Sequence, residues 1–153
     1  MPKIDLSLIP ESNWTDYPPP FDAAVQGRWY RRLAPPGALT DFAVSLVRLE
    51  PGAWSSQRHW HEGEDEFIIM LKGKAVLVED DGPVLLKAGD CAAFPKGVAN
   101  GHHLRNEGDE DCHFLVVGGG EQQGGSYSDI DMLFTADDRY TRKDGTPYPA
   151  DRA

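Results

Sequence analysis

Between about Val25 and Val117 the chain reads as a succession of short apolar or alternating runs, each cut by a turn signal. The runs fall at roughly 27–34, 42–50, 54–61, 66–71, 74–79, 83–87, 91–95, 101–106 and 112–117. Between them stand Pro35-Pro36-Gly37, Pro51-Gly52, Glu62-Gly63, Gly73, Asp81-Gly82, Gly89-Asp90, Lys96-Gly97 and Gly108-Asp109. Such runs place successive side chains on opposite faces, one for a core and one for solvent. No segment carries the helical period that a crossover helix needs. The spacing therefore predicts an all-β domain over 25–117, a sandwich or a barrel.

The flanks read differently. Residues 1–24 are proline-rich, and Pro18-Pro19-Pro20 can continue neither a helix nor a central strand, so they are expected to form an extended N-terminal arm. Residues 118–125, Gly118-Gly119-Gly120-Glu121-Gln122-Gln123-Gly124-Gly125, read as a flexible linker. Residues 126–153 form a polar tail with a few apolar anchors, among them Ile130, Met132, Phe134, Tyr140 and Tyr148. Too sparse to fold alone, this tail is expected to pack on the barrel or on a partner subunit.

Composition narrows the functional classes. A length of 153 residues is one domain's worth, and 40% apolar with 26% charged residues is ordinary for a soluble fold. The 16 glycines and 12 prolines fit many short elements joined by turns. A formal net charge of −10 opposes nonspecific binding to nucleic acid or to an anionic membrane. No apolar run approaches the ~20 residues of a membrane span. Met1-Pro2-Lys3-Ile4-Asp5 lacks a basic-then-apolar leader, and Cys91 and Cys112 are too few for a disulfide framework. The expectation is a cytoplasmic protein with both thiols reduced and a small-molecule partner.

The chemistry concentrates at Gln57-Arg58-His59-Trp60-His61-Glu62-Gly63-Glu64-Asp65-Glu66. On a strand His59 and His61 point the same way, about 7 Å apart, which is how a divalent-metal site begins. Glu66 opens the next apolar strand and can turn inward to complete a His-His-carboxylate face. A third imidazole is available from the adjacent His102 and His103. A lone His-x-His beside an acidic turn is equally well a pair of half-exposed strand histidines. Four of the five histidines, however, fall in two tight clusters, each beside an apolar strand.

These residues resemble a known superfamily. Gly52, then His59-x-His61-x4-Glu66-x6-Gly73, is similar to the first motif of the cupins. Gly89-x5-Pro95-x-Gly97 followed by His102-x3-Asn106 is similar to the second. The resemblance covers 52–106 and implies a double-stranded β-helix, a small jelly-roll barrel with a metal in its mouth. Two departures stand out. Six residues rather than five separate Gly52 from His59, and Asn100 occupies the place of the third histidine. An insertion of two residues after Gly97 selects His102, with Leu104 and Asn106 on its face; a slip of one residue would select His103.

The implied ligand set is His59, His61, Glu66 and His102, around iron, manganese, nickel, cobalt or zinc. Glu66 is also a candidate base. Parity adds Ser55 and Gln57 as candidate substrate contacts and Ile68, Met70 and Leu104 as apolar walls, with Arg58, Trp54 and Trp60 outside. Among cupins the chain resembles a small single-domain group labelled as sugar-phosphate isomerases. That implies Lewis-acid isomerase or lyase chemistry on a small oxygenated substrate. An Fe(II) dioxygenase and a non-catalytic sugar- or metabolite-binding module are the alternatives. The outward tryptophans, arm and tail suggest a homodimer joined through β-strands.

Overall fold

The structure, a computed structural model, describes residues 3–149; Met1, Pro2 and residues 150–153, the outermost parts of the expected arm and tail, lie outside the described residues. Nine strands follow the alternating runs: β1 (Arg28–Arg32), β2 (Phe42–Leu49), β3 (His59–His61), β4 (Glu64–Lys72), β5 (Lys74–Glu79), β6 (Gly82–Lys87), β7 (Cys91–Phe94), β8 (His103–Arg105) and β9 (Cys112–Gly120). Three more come from the tail: β10 (Gly125–Tyr127), β11 (Leu133–Phe134) and β12 (Tyr140–Thr141). The only helical elements among the described residues are three 3₁₀ turns of three residues each.

One wall of the barrel is a five-stranded antiparallel sheet in the order β1-β2-β9-β4-β7. The other consists of two smaller sheets, β12-β11-β10-β3 and β6-β5-β8. A bridge between His59 and His102 joins these two, with backbone bonds in both directions at 3.2 and 2.9 Å. The β4–β5 hairpin turns at Gly73, whose φ of +74° a side chain would oppose. Between the walls lies a core of Val47, Leu49, Ile68, Met70, Leu77, Leu104 and Phe114. The alternation in β4 shows why: Ile68 and Met70 are each 1% exposed, while Phe67 and Leu71 face outward.

Three expectations are corrected. The 54–61 run is a strand only at its last three residues. Its earlier backbone donors leave the ladder, Ser55 N for the Leu104 carbonyl and Gln57 N for the Tyr17 hydroxyl. The 118–125 stretch is not a flexible linker: Gly118–Gly120 continue β9, paired with Ala43 and Phe42 on one side and with Glu66, Asp65 and Glu64 on the other. Backbone pairing needs no side chain there, and between two strands a glycine loses the freedom it has in solution. Trp54 and Trp60 do not form an outer apolar face. Arg105 covers the Trp54 ring at 4.2 Å, His103 meets it edge-on, and both tryptophans are half-buried in their own chain.

The tail packs on its own barrel. β10 runs antiparallel to β3, setting Gly125 against His61 and Tyr127 against His59. Beneath it Tyr17 and Val25 of the arm side join Tyr127 and Met132 of the tail in a second buried cluster, with Phe21, Phe134 and Tyr140 at its edge. Arm and tail therefore close one end of the barrel together.

Candidate metal centre and cavity

His59 and His61 project from β3 and Glu66 from β4, and their nearest ligand atoms all lie within 4.8 Å of one another. The Nε2 atoms of His59 and His61 are 3.2 Å apart. Glu66 Oε2 lies 3.4 Å from His61 Nε2, and Glu66 Oε1 lies 3.2 Å from His102 Nε2. Imidazole and carboxylate bind divalent ions at about 2.0–2.2 Å, which sets neighbouring donors about 3.0 Å apart in an octahedron and about 3.4 Å in a tetrahedron. The three observed separations fall in this range, and the group whose ligand atoms all lie within mutual reach is His59, His61 and Glu66, with His102 beside it on Glu66.

The surroundings orient the rings. His59 Nδ1 donates to the Gln57 carbonyl at 2.9 Å, which leaves Nε2 as a bare lone pair turned to the centre. Phe94 stacks on His102 at 3.6 Å, almost parallel. Phe134 meets His61 edge-on at 5.1 Å, and Tyr127 leans on His59 at 5.7 Å. His61 Nδ1 faces Glu64 Oε2 at 3.5 Å, and Nδ1 of His102 is buried without a hydrogen-bond partner among the described residues.

Electrostatics match ligand duty. Burial, helped by the neighbouring His102, pushes His59 down to about 3, so its imidazole is neutral. Burial alone would raise Glu66, but hydrogen bonds from His102 and His61 outweigh it and hold the carboxyl well below its usual range. For His61, burial acts downward and Glu66 and Glu64 more than reverse it.

His103 is turned away from this group. Its Nδ1 donates to the Ser56 carbonyl at 2.8 Å, and its Nε2 accepts from Arg105 at 2.9 Å. Of the two adjacent histidines, His102 is the one beside Glu66.

A cavity of about 350 Å³ opens beside the cluster, with His59, Glu66 and His102 in its wall. Ile68 and Leu104 line it, and so does Ser55, although the Ser55 hydroxyl is occupied by the Leu104 N–H at 2.9 Å. Two of the expected contacts are corrected. Gln57 is buried behind the wall, its amide donating to the Phe21 carbonyl at 3.0 Å. Met70 belongs to the core, and in its cross-strand row Val47 and Phe114 form the wall instead. Several lining residues lay outside the sequence reading: Thr15 and Tyr17 of the arm, Tyr140 of the tail, and Arg28, Tyr30 and Arg32 of β1. The alternation of β1 puts those last three on one face, but only pairing with β2 shows that the face is inward.

A barrel of this topology with an imidazole–carboxylate cluster in its mouth defines the cupins, and a family model for the cupin domain matches residues 45–118. The chain belongs to the cupin superfamily. It is 46% identical to a sugar phosphate isomerase from a cupin superfamily of Silicibacter pomeroyi DSS-3, which superposes with a TM-score of 0.91 over 99% of both chains. The oxalate-binding protein of Thermotoga maritima is 37% identical over 71 residues, 46% of this chain and 56% of that protein, so the chain spans little more than half of that relative. The polyketide cyclase RemF from Streptomyces resistomycificus, 19% identical with a TM-score of 0.69 over 85% of this chain and 87% of its own, shares the fold alone.

Proposed function

We propose that this cupin is a metal-dependent enzyme of the isomerase or lyase class acting on a small oxygenated substrate. Its ligands are His59, His61, Glu66 and His102. The observation that carries the reading is the set of donor separations, 3.2, 3.4 and 3.2 Å, which fall in the range of a coordination polyhedron's edges. A divalent ion held by these residues would supply Lewis-acid chemistry, polarising a substrate carbonyl oxygen and acidifying the neighbouring C–H. The chain's own residues do the rest. His59 is kept neutral and aimed by Gln57. Glu66 is better suited to ligation than to the base role, because a carboxyl held below its ordinary range is a weak proton acceptor. Burial raises Tyr17 and Tyr140, so both phenols stay protonated at the cavity wall, where the Tyr17 hydroxyl accepts from the Gln57 N–H at 3.2 Å.

A second reading is favoured by the resemblance to an oxalate-binding protein: a module that holds a small chelating ligand unchanged. Metal content per chain separates these readings from a metal-free barrel. Near-stoichiometric metal is expected in the wild type, lost in His59→Ala/His61→Ala and weakened about 10–100-fold in His102→Ala. His103→Ala is expected to leave it unchanged. Absence of tight metal uptake by the wild type would sink the enzyme reading. Stoichiometric iron with substrate-dependent oxygen uptake would redirect it to dioxygenase chemistry. Turnover of an oxygenated substrate by the loaded protein would exclude the pure binding module.

Two further parts of the reading concern the setting. The outer face of the five-stranded sheet carries Phe42, Val44 and Leu46 of β2, Leu115 and Val117 of β9, and Phe67, Ile69 and Leu71 of β4. We read this face as the contact of a homodimer. The two unpaired thiols, with Cys91 exposed, fit a reducing cytoplasm.

A further inference from the structure

The cavity has a second chemical pole. Arg28, Tyr30 and Arg32 alternate along β1 and all three line it. The Arg28 guanidinium carbon lies 5.4 Å from the centroid of the Tyr30 ring and that of Arg32 lies 5.7 Å from it, so two cations bracket one aromatic ring. Arg28 Nη1 and Nη2 donate to the backbone carbonyls of Ser55 and Trp14 at 3.0 and 3.1 Å, and its Nε is buried with no partner. Among the described residues neither arginine has a carboxylate within ion-pair distance. Arg48 and Arg58, by contrast, are neutralised by Glu11 and Asp111 and by Asp80 and Asp129. Asp16 lies on the same cavity, where its carboxylate accepts from the Trp14 indole at 3.0 Å.

Among the described residues Arg31, Arg105 and Arg142 likewise have no carboxylate within ion-pair distance, so what sets Arg28 and Arg32 apart is that both line the cavity that holds His59, Glu66 and His102. The arginine fork matches carboxylate and phosphate oxygens; Arg28 already gives Nη1 and Nη2 to backbone carbonyls, so the exposed Arg32 is the group that offers a fork to an anion and Arg28 adds its charge to the same cavity. Register places this pole relative to the metal cluster. Arg32 pairs with Ser45, Ser45 with Val116, and Val116 with Ile68, one row across the sheet; Glu66 stands two residues along from Ile68. Three strand spacings of about 4.8 Å separate the ends of that row. Arg32 and Glu66 line the same cavity from the two ends of that row.

We infer that the cavity selects a small acid with two ends: oxygens that chelate the metal at His59, His61 and Glu66, and a carboxylate or phosphate held by Arg32, with the charge of Arg28 on the same cavity. The inference rests on the metal reading for one end only; the arginine end stands on its own geometry.

The test is calorimetric titration of Mn²⁺-loaded protein with L-lactate, L-malate and 3-phosphoglycerate. All three offer a hydroxy-carboxylate end, and only the last two carry a second anion. The expected result is that malate or 3-phosphoglycerate binds at least about tenfold tighter than lactate, and the stronger of the two identifies carboxylate or phosphate. Arg32→Gln, at an exposed position, is expected to erase that advantage while leaving lactate affinity, metal content and melting temperature unchanged. Arg32→Lys should restore only part of it, since a point charge lacks the fork. Equal affinity for all three acids, no binding of any, or an advantage that survives in Arg32→Gln would overturn the inference. Failure of the metal reading shows separately, as binding of these acids that is the same in wild type and in His59→Ala/His61→Ala.

Discussion

At the scale of single residues, this site is made of groups that titrate unusually because of where they are buried. His59 is pushed down to about 3 and His103 to about 4, in both cases first by burial. Folded protein therefore keeps both rings neutral, while the unfolded chain takes up protons as pH falls below about 6.5. Stability must then drop with pH between about 6.5 and 4, by roughly 1.4 kcal/mol per pH unit for each ring. His61 has the opposite sign: its raised pKa gives a contribution fully present below about 6.5 and lost as pH rises through the folded value. Glu66, depressed, contributes fully above its ordinary value of about 4.5, and so stays constant from pH 7 down to about 5. Urea unfolding of metal-free protein at pH 7, 6 and 5 should show a falling midpoint. A midpoint constant over that range would contradict neutral buried imidazoles.

At the scale of elements, the metal strand is short and borrows its rigidity. β3 has three residues, and its partners are β10 from the tail on one edge and the His102 bridge on the other. Gly125 sits where β10 meets β3 so closely that a Cβ would run into the Trp60 carbonyl and the Phe134 ring. Gly125→Ala should therefore lever β10 away from β3, costing about 1–3 kcal/mol, the usual range for overpacking. It should also weaken metal affinity, although no ligand is touched. A melt combined with metal titration checks both, and an unchanged metal affinity would mean that β3 holds its rings without the tail. This dependence was not legible in the sequence. Gly124-Gly125 reads as loosening the chain, and only the contact with Trp60 shows that it permits tight packing. The strands β4 to β7 were legible, because their alternation and the turns at Gly73, Asp81-Gly82 and Gly89-Asp90 are local signals.

At the scale of the whole molecule, the apolar sheet face and the two-ended cavity lie on opposite sides of the same wall. Phe67 and Ile69 point out of β4, whereas Glu66 and Ile68 point in. Phe67→Glu/Ile69→Glu should shift sedimentation from dimer to monomer at micromolar concentration and leave metal content intact; a monomeric wild type would remove the dimer reading. The sequence alone determined the all-β character and the shared face of His59 and His61. Those depend on side-chain alternation and turn chemistry within a few residues. Its motif resemblance also pointed to Glu66 and to His102 over His103. Tertiary structure decided that β1 turns Arg28 and Arg32 into the cavity, that Met70 and Gln57 stay out of it, and that arm and tail close one end of the barrel. Each of these depends on register between segments far apart in the chain, where a shift of one residue exchanges inside for outside and no local pattern records the choice.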